Sequence, residues 1–444
     1  MHLLRKFALI SGSILVVIST LFLYIYNTNQ KLKTNRNIAL EGVLAFTKQR
    51  SYTLGDTLKI CVHSAENQIG KLYKLDSVKI YTSIKVEIPS YLQDNFYNSK
   101  VGFSTWKENL KIPTSTLKSG LYSLELQNKK GEKTFALPIV IEDKTLEKIV
   151  VISNTYSWQC YNIFGGLSNY VDEVTPYILK KLYAWKILLE QPKYLTWYRP
   201  NKEISEELLL HSTPYETISK TNLGSRRTIG EWSLLAYLYK KKIKFSLITD
   251  DNFTKRNDLE KSQLIIIQTH AEYWTNEMLG KLKYAENLEK NIAIFAGNTA
   301  FRTIQKEENN TVRVINQANN IAEITPLIGT FYNEANYQYF APYEVLLPNH
   351  WVFEGANLHK GEIFGTDYCS GFETDQINIY SSNYTLLAQG KNEYSPAHMV
   401  IKENTNGAFV FNASSILSAK SIANDSTLQL ILHNLIKKSL NSLH

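Results

Sequence analysis

Cysteine is scarce in this chain: Cys61, Cys160 and Cys369 are the only three in 444 residues, odd in number and far apart. That excludes a disulfide framework, although a single bridge between two of them stays open. No C-x-x-C pair occurs, which excludes the common thiolate zinc and dithiol redox sites. No G-x-S-x-G elbow is found and no cysteine follows a predicted strand as nucleophile, so covalent serine or cysteine chemistry has no candidate. Neither a Walker A loop nor a dinucleotide fingerprint occurs, which argues against nucleotide chemistry. The chain also lacks an arginine-rich stripe. Its formal charge is +8, but the lysines are scattered. Their densest group, Lys240, Lys241, Lys242 and Lys244, sits at a predicted helix end, so nucleic acid is not an expected partner.

What the chain does have is a globular composition, 44% hydrophobic and 20% charged, with length enough for two domains. Residues 7–26, "FALISGSILVVISTLFLYIY", form an uncharged run. At about 1.5 Å per residue such a run spans about 30 Å, the thickness of a bilayer core. Arg5 and Lys6 precede it and no small-residue cleavage site follows. The run therefore reads as an uncleaved signal anchor within residues 1–30, giving a single-pass membrane protein with its body outside the cytoplasm. Residues 31–41 read as a polar linker.

Residues 42–144 alternate in short stretches such as "TLKICVH" and "SGLYSLELQN", punctuated by turn residues. They predict a small immunoglobulin-like β-sandwich. From 145 to 444 the pattern changes. "EKIVVIS", "IKFSLITD", "SQLIIIQTH" and "NIAIFAG" read as strands, interleaved with helical segments such as "RTIGEWSLLAYLYKKK" and "NEMLGKLKYAENLEK". Strands alternating with helices predict a doubly wound parallel α/β sheet, whose ligands bind beyond the carboxyl ends of the strands.

Four segments hold residues that could carry chemistry. The loop "SNTYSWQCYNIFGGLSNY" gathers Asn154, Tyr156, Trp158, Tyr161, Asn162 and Tyr170 around a Gly-Gly pair. It is either a self-packed aromatic loop or a wall of phenols and amides. "QTHAEYWT" ends an apolar strand with His270 and Glu272. Alternation puts that pair on one side, suited to metal ligation or proton transfer, while a plain helix start with an acidic first turn is the competing reading. Glu231 lies within a helix, where an exposed or capping role is at least as plain. Glu373 and Asp375 alternate in a predicted strand, in a region that also carries His350 and His359.

Taken together, "NTYSWQCYNIFGGLSNY", "YRPN", "THAEYWT", "FAGNTAFR", "HWVFEGANLHKGEIFG" with "GFETD", and "GAFVFNASS" resemble the N,N-dimethylformamidase large-subunit family, in family order over residues 147–437. The resemblance implies a class I glutamine-amidotransferase-like (flavodoxin-like) α/β fold without that fold's usual cysteine. It also implies a mononuclear ferric iron held by two tyrosinates and a glutamate, here Tyr161, Tyr170 and Glu272, with His270 and Glu373 as acid/base and supporting residues. Phenolate and carboxylate are hard oxygen donors that suit a trivalent cation. The expected function is metal-dependent hydrolysis of an amide-type C–N bond in a small molecule. The alternative is a non-catalytic envelope protein holding a sugar or peptide in the same pocket. A homo-oligomer is left open. The ligand oxygens of Tyr161, Tyr170 and Glu272 should then converge within about 4–5 Å of one another.

Overall fold

In a computed structural model, the described residues are 16–17, 19–20, 23–24, 35–165, 168–169, 193–217, 227–316, 318–365, 368–392 and 394–441. The expected anchor at 7–26 lies outside these apart from six residues. Among the described residues no helix is long and apolar enough to cross a membrane. Single-pass anchoring is therefore not supported, and the extracytoplasmic placement drawn from it loses its basis.

Residues 44–142 build two sheets. One has three antiparallel strands, Leu44–Thr47, Thr57–His63 and Leu110–Pro113. The other has five, ordered Ser51–Thr53, Lys133–Glu142, Gly120–Gln127, Gln68–Leu75 and Lys79–Ile88. A common core of Leu58, Ile60, Leu72, Trp106, Leu124 and Ile139 lies between them. Phe164, from the aromatic loop, is buried in that same core, 6.1 Å from Phe103 between ring centroids.

The largest sheet has nine strands in the order Ser246–Thr249, Ile149–Ser153, Leu264–His270, Asn291–Gly297, Phe409–Asn412, His398–Glu403, Thr385–Gly390, Tyr343–Val345 and Ile363–Phe364. The first five run parallel. The last four join by antiparallel pairing. Side-chain alternation sorts the parallel strands onto two faces. Val151, Ile266, Ala293 and Phe295 pack with Trp232 and Leu235 of the Thr228–Lys240 helix. Val150, Ile152, Ile265, Ile267, Ile292 and Ile294 pack with Met278 and Leu282 of the Asn276–Asn287 helix. Burial on both faces is why these strands are uniformly apolar.

The flavodoxin-like reading is corrected by this sheet and by the balance of the described residues, which are 37% strand and 23% helix, with large mixed sheets. Helical crossovers are needed only between parallel neighbours. Among the described residues after 330 only Phe409–Asn412 joins in parallel, while four further strands of the large sheet pair antiparallel, and a further two-stranded sheet pairs Phe331–Ala341 with Ser370–Gln376. The alternation read over 149–297 does not extend to that part of the chain.

Candidate active site at the carboxyl ends of the parallel strands

The Leu264–His270 strand loses its apolar character at Gln268. It still pairs to its end, Thr269 opposite Ala296 and His270 opposite Gly297. Thr269 takes φ +56 in doing so. Positive φ at a β-branched residue costs about 1–3 kcal/mol and persists only where surrounding structure enforces it. Here the enforcement is pairing on both sides of "HAEYW". Ala271 O accepts from Ala300 N at 2.8 Å and Glu272 O from Arg302 N at 3.0 Å. Tyr273 and Trp274 then pair in parallel with Arg302 and Thr303. Other positive-φ residues lie at the same end of the sheet: Asn298 (+55), Ala300 (+54), Phe372 (+68) and Ser414 (+60).

Tyr161 arrives from another direction, as the C-cap of the short, wholly buried Thr155–Cys160 helix. Its hydroxyl donates to Glu272 Oε2 at 2.6 Å and lies 3.3 Å from His270 Nε2. His270 Nε2 is 3.2 Å from Glu272 Oε2 and 3.1 Å from Glu373 Oε2. Four of the five expected site residues therefore meet at one point. The fifth, Tyr170, lies outside the described residues.

The electrostatics follow from burial. Glu272 is fully buried, which alone would push its carboxyl up. The Arg302 guanidinium, His270 and the Tyr161 hydroxyl overcome that and hold it at about 2. Arg302 Nε donates to Glu272 Oε1 at 2.5 Å, leaving Oε2 for Tyr161 and His270. His270 is also buried, which alone would lower it, but Glu373 and Glu272 outweigh burial and raise it above the ordinary imidazole value. Two carboxylate oxygens facing Nε2 require a proton there. Nδ1 has no hydrogen-bond partner among the described residues.

Most of the aromatic loop serves other ends. Tyr156, a second phenol in the run, donates to Asp251 at 2.7 Å beneath the Arg50 guanidinium, away from His270. Trp158 Nε1 donates to Glu231 at 3.0 Å. Arg199 of "YRPN" donates to Phe164 O at 2.8 Å and Gln159 O at 3.2 Å, stitching the loop shut. Tyr273 packs edge-on to Tyr161, 6.0 Å apart at 82°, and so backs the ring that faces the site. Cys61, Cys160 and Cys369 are buried free thiols, so no bridge forms among them. Burial pushes the Cys160 thiol well up, which leaves no thiolate beside Tyr161.

Sequence reasoning missed two residues here, Arg302 and Asn298. Arg302, quoted only as part of "FAGNTAFR", is placed by the parallel pairing of 273–274 with 302–303. Asn298 Nδ2 donates to Glu373 Oε2 at 2.7 Å. Glu231, a candidate for which an exposed or capping role was at least as plain, is fully buried and accepts from Ser153 Oγ at 2.5 Å and Asn154 N at 3.0 Å as well as from Trp158. A glutamate inside an almost unbroken apolar helix face was the available signal. His350 instead pairs with Glu403 at 3.2 Å, while Glu373 faces His270.

The chain matches, over residues 85–427, the family described as N,N-dimethylformamidase beta subunit-like, C-terminal, and it belongs to that family. The membership supports a hydrolase. No curated protein matches the chain. Among solved structures, a cycloisomaltooligosaccharide glucanotransferase of Paenibacillus sp., complexed with cycloisomaltoheptaose, is similar at 8% identity, covering 84% of this chain and 71% of its own, with a TM-score of 0.17. At that score the likeness carries no argument.

Proposed function

We propose that this protein hydrolyses an amide-type C–N bond of a small molecule with the help of a hard metal ion, ferric iron, held by Tyr161, Glu272 and Tyr170. The observation that carries the reading is the triangle of Tyr161 Oη, Glu272 Oε2 and His270 Nε2, with sides of 2.6, 3.3 and 3.2 Å and its carboxylate and imidazole buried. Ligands at about 2 Å from one ion lie about 3 Å apart, so the spacing of the phenol and carboxylate oxygens fits a shared cation. Among the described residues no group of three His, Cys, Asp or Glu side chains is arranged to hold a metal, so the phenols are essential to the donor set. Glu272 is held as a carboxylate and needs no deprotonation to bind. Such an ion supplies Lewis acidity at an amide carbonyl and acidifies a bound water.

The chain's own residues supply the rest. Arg302 fixes one carboxylate oxygen of Glu272 and turns the other toward Tyr161. Tyr273 backs the Tyr161 ring. His270, raised toward its charged form, presents the Nε2 proton that a departing amine requires, and Glu373 Oε2 at 3.1 Å holds the imidazolium in place. Burial of Glu272, His270, Arg302 and Glu373 strengthens their interactions by excluding water, with Tyr161 partly buried beside them.

The binding-protein alternative relied on the aromatic loop as a ligand platform. Tyr156 and Trp158 are buried and tied to Asp251 and Glu231, which removes two of its rings. Reconstitution of the purified chain with ferric salt tests the proposal. Stoichiometric iron with a tyrosinate-to-iron absorption band, abolished in Tyr161→Phe, is expected. Absence of both band and stoichiometric metal in the wild type would sink it.

A further inference from the structure

Glu373 reaches His270 from a strand outside the nine-stranded sheet, and the structure spends several unusual features on bringing it there. Gly297, at the end of the Asn291–Gly297 strand, has no room for a side chain. A Cβ there would lie 2.6 Å from Glu373 O and 2.6 Å from Ile416 N, both backbone atoms. The next residue, Asn298, turns with φ +55, and Phe372, just before Glu373, takes φ +68. The pairing of Ser370–Gln376 with Phe331–Ala341 slips in register between Tyr337 and Tyr339, opposite Glu373 and Phe372. Such irregularities re-aim side chains.

Asp375 closes this arrangement. It sits two residues after Glu373 and is 1% exposed. Its Oδ1 accepts from Asn298 N at 2.8 Å, and Oδ2 lies 3.5 Å from Thr299 N. Asn298 in turn donates Nδ2 to Glu373 Oε2, the oxygen that faces His270 Nε2. An ionised carboxylate accepts and cannot donate, so this contact sets which way the Asn298 amide points. A side chain that only capped a turn would have no need to be buried close to Glu373 and His270. Burial lifts the Asp375 carboxyl to about 7 despite its backbone donors, so the placement works against the group itself.

We propose that Asp375 is a positioning residue: by gripping the Asn298–Thr299 turn it directs the Asn298 amide onto Glu373 and so holds Glu373 against His270. The inference rests on the reading above in taking Glu373 and His270 as partners in proton transfer. It adds a residue that touches neither substrate nor metal in that reading.

The test uses the full chain with Asp375→Asn and Asn298→Ala, singly and together. Asparagine keeps the shape of Asp375 but offers one acceptor oxygen where the turn uses two. Crystal structures of both single variants should show Glu373 Oε2 withdrawn from His270 Nε2, with a single cooperative thermal transition retained. With formamide and N,N-dimethylformamide as probes, kcat should fall about 100-fold with KM little changed, in keeping with the penalty for small misplacements. The limb of the kcat profile set by His270 should shift. The double variant should be no worse than either single one, since both break the same link. Folded variants that leave Glu373 against His270, or losses that multiply in the double variant, would overturn the proposal. If the wild type hydrolyses neither probe, the hydrolase reading fails, while the crystallographic separation still decides the positioning role.

Discussion

Arg302 and Glu272 form a buried ion pair across two strand ends that also share a backbone hydrogen bond. The Nε to Oε1 distance is 2.5 Å, the side chains are 3% and 0% exposed, and Arg302 N donates to Glu272 O at 3.0 Å. Backbone register and side-chain charge therefore specify the same neighbour. Removing the cation leaves a carboxylate buried without its main partner. Arg302→Met should destabilise the fold by about 3–5 kcal/mol, the usual consequence of breaking such a pair from one side. Urea unfolding near neutral pH measures this. A change within about 0.5 kcal/mol, the range of an inert surface substitution, would contradict it.

Glu231 makes stability depend on pH. Burial lifts its carboxyl from an ordinary 4.5 to about 8. The folded chain thus holds this proton more tightly than the unfolded chain. The associated stability is fully present below about pH 4.5 and is lost as pH rises through about 8. Glutamine at this position keeps an acceptor for Asn154 and Trp158 and can donate to Ser153. The difference in unfolding free energy between wild type and Glu231→Gln should therefore change with pH across this window, by at most about 1.4 kcal/mol per unit. Taking the difference cancels Asp250, which burial lifts to about 7. Parallel curves would show that Glu231 is not the titrating group.

Gly297→Ala tests close approach in the simplest way. The backbone there does not need positive φ, so the clash with Glu373 O and Ile416 N is the whole effect. Neither atom belongs to a flexible side chain, and the strands must part. The expected loss is about 1–3 kcal/mol, as for other overpacked sites, with Glu373 displaced from His270. A melting temperature equal to that of the wild type would mean that the Ser370–Gln376 strand can yield without strain.

The two phenols of "NTYSWQCYN" should separate cleanly by substitution. Tyr156→Phe removes one hydrogen bond to Asp251, which keeps Lys255 and Lys306 within ion-pair distance. A loss of about 1 kcal/mol in stability is expected, with iron loading intact. Tyr161→Phe also removes one hydrogen bond to a carboxylate, Glu272, and should cost a similar amount of stability, but with no iron band. Equal effects on loading from both variants would leave the assignment of Tyr161 unsupported.

The parallel half of the large sheet was legible because residues buried on both faces leave uninterrupted apolar runs, as in "LIIIQ". The antiparallel half was not. "EVLLP" reads as a strand, but strand character says nothing about direction, and the strand within "GAFVFNAS" pairs parallel on one side and antiparallel on the other. The site divided along similar lines. His270 and Glu272 declared themselves as titratable residues ending an apolar strand, and Tyr161 as one phenol among several. Which phenol faces Glu272 depends on where the Thr155–Cys160 helix stops, a boundary that sequence places only to within a few residues. Arg302 and Asn298 depend on strand register and a positive-φ turn, which no local pattern announces.

Phe164 lies three residues past Tyr161 and is buried in the core of the N-terminal sheets. Next to it, Gly165 approaches so closely that a Cβ would fall 2.6 Å from the Tyr97 ring, and Arg36 donates to Gly165 O at 3.0 Å. The segment that presents the phenol is thus clamped at one end by the large mixed sheet and at the other by the preceding sheets. The two parts of the chain are not interchangeable modules. A fragment beginning near residue 145 would expose Phe164, release the loop and lose the placement of Tyr161 even if every residue of the triangle were present.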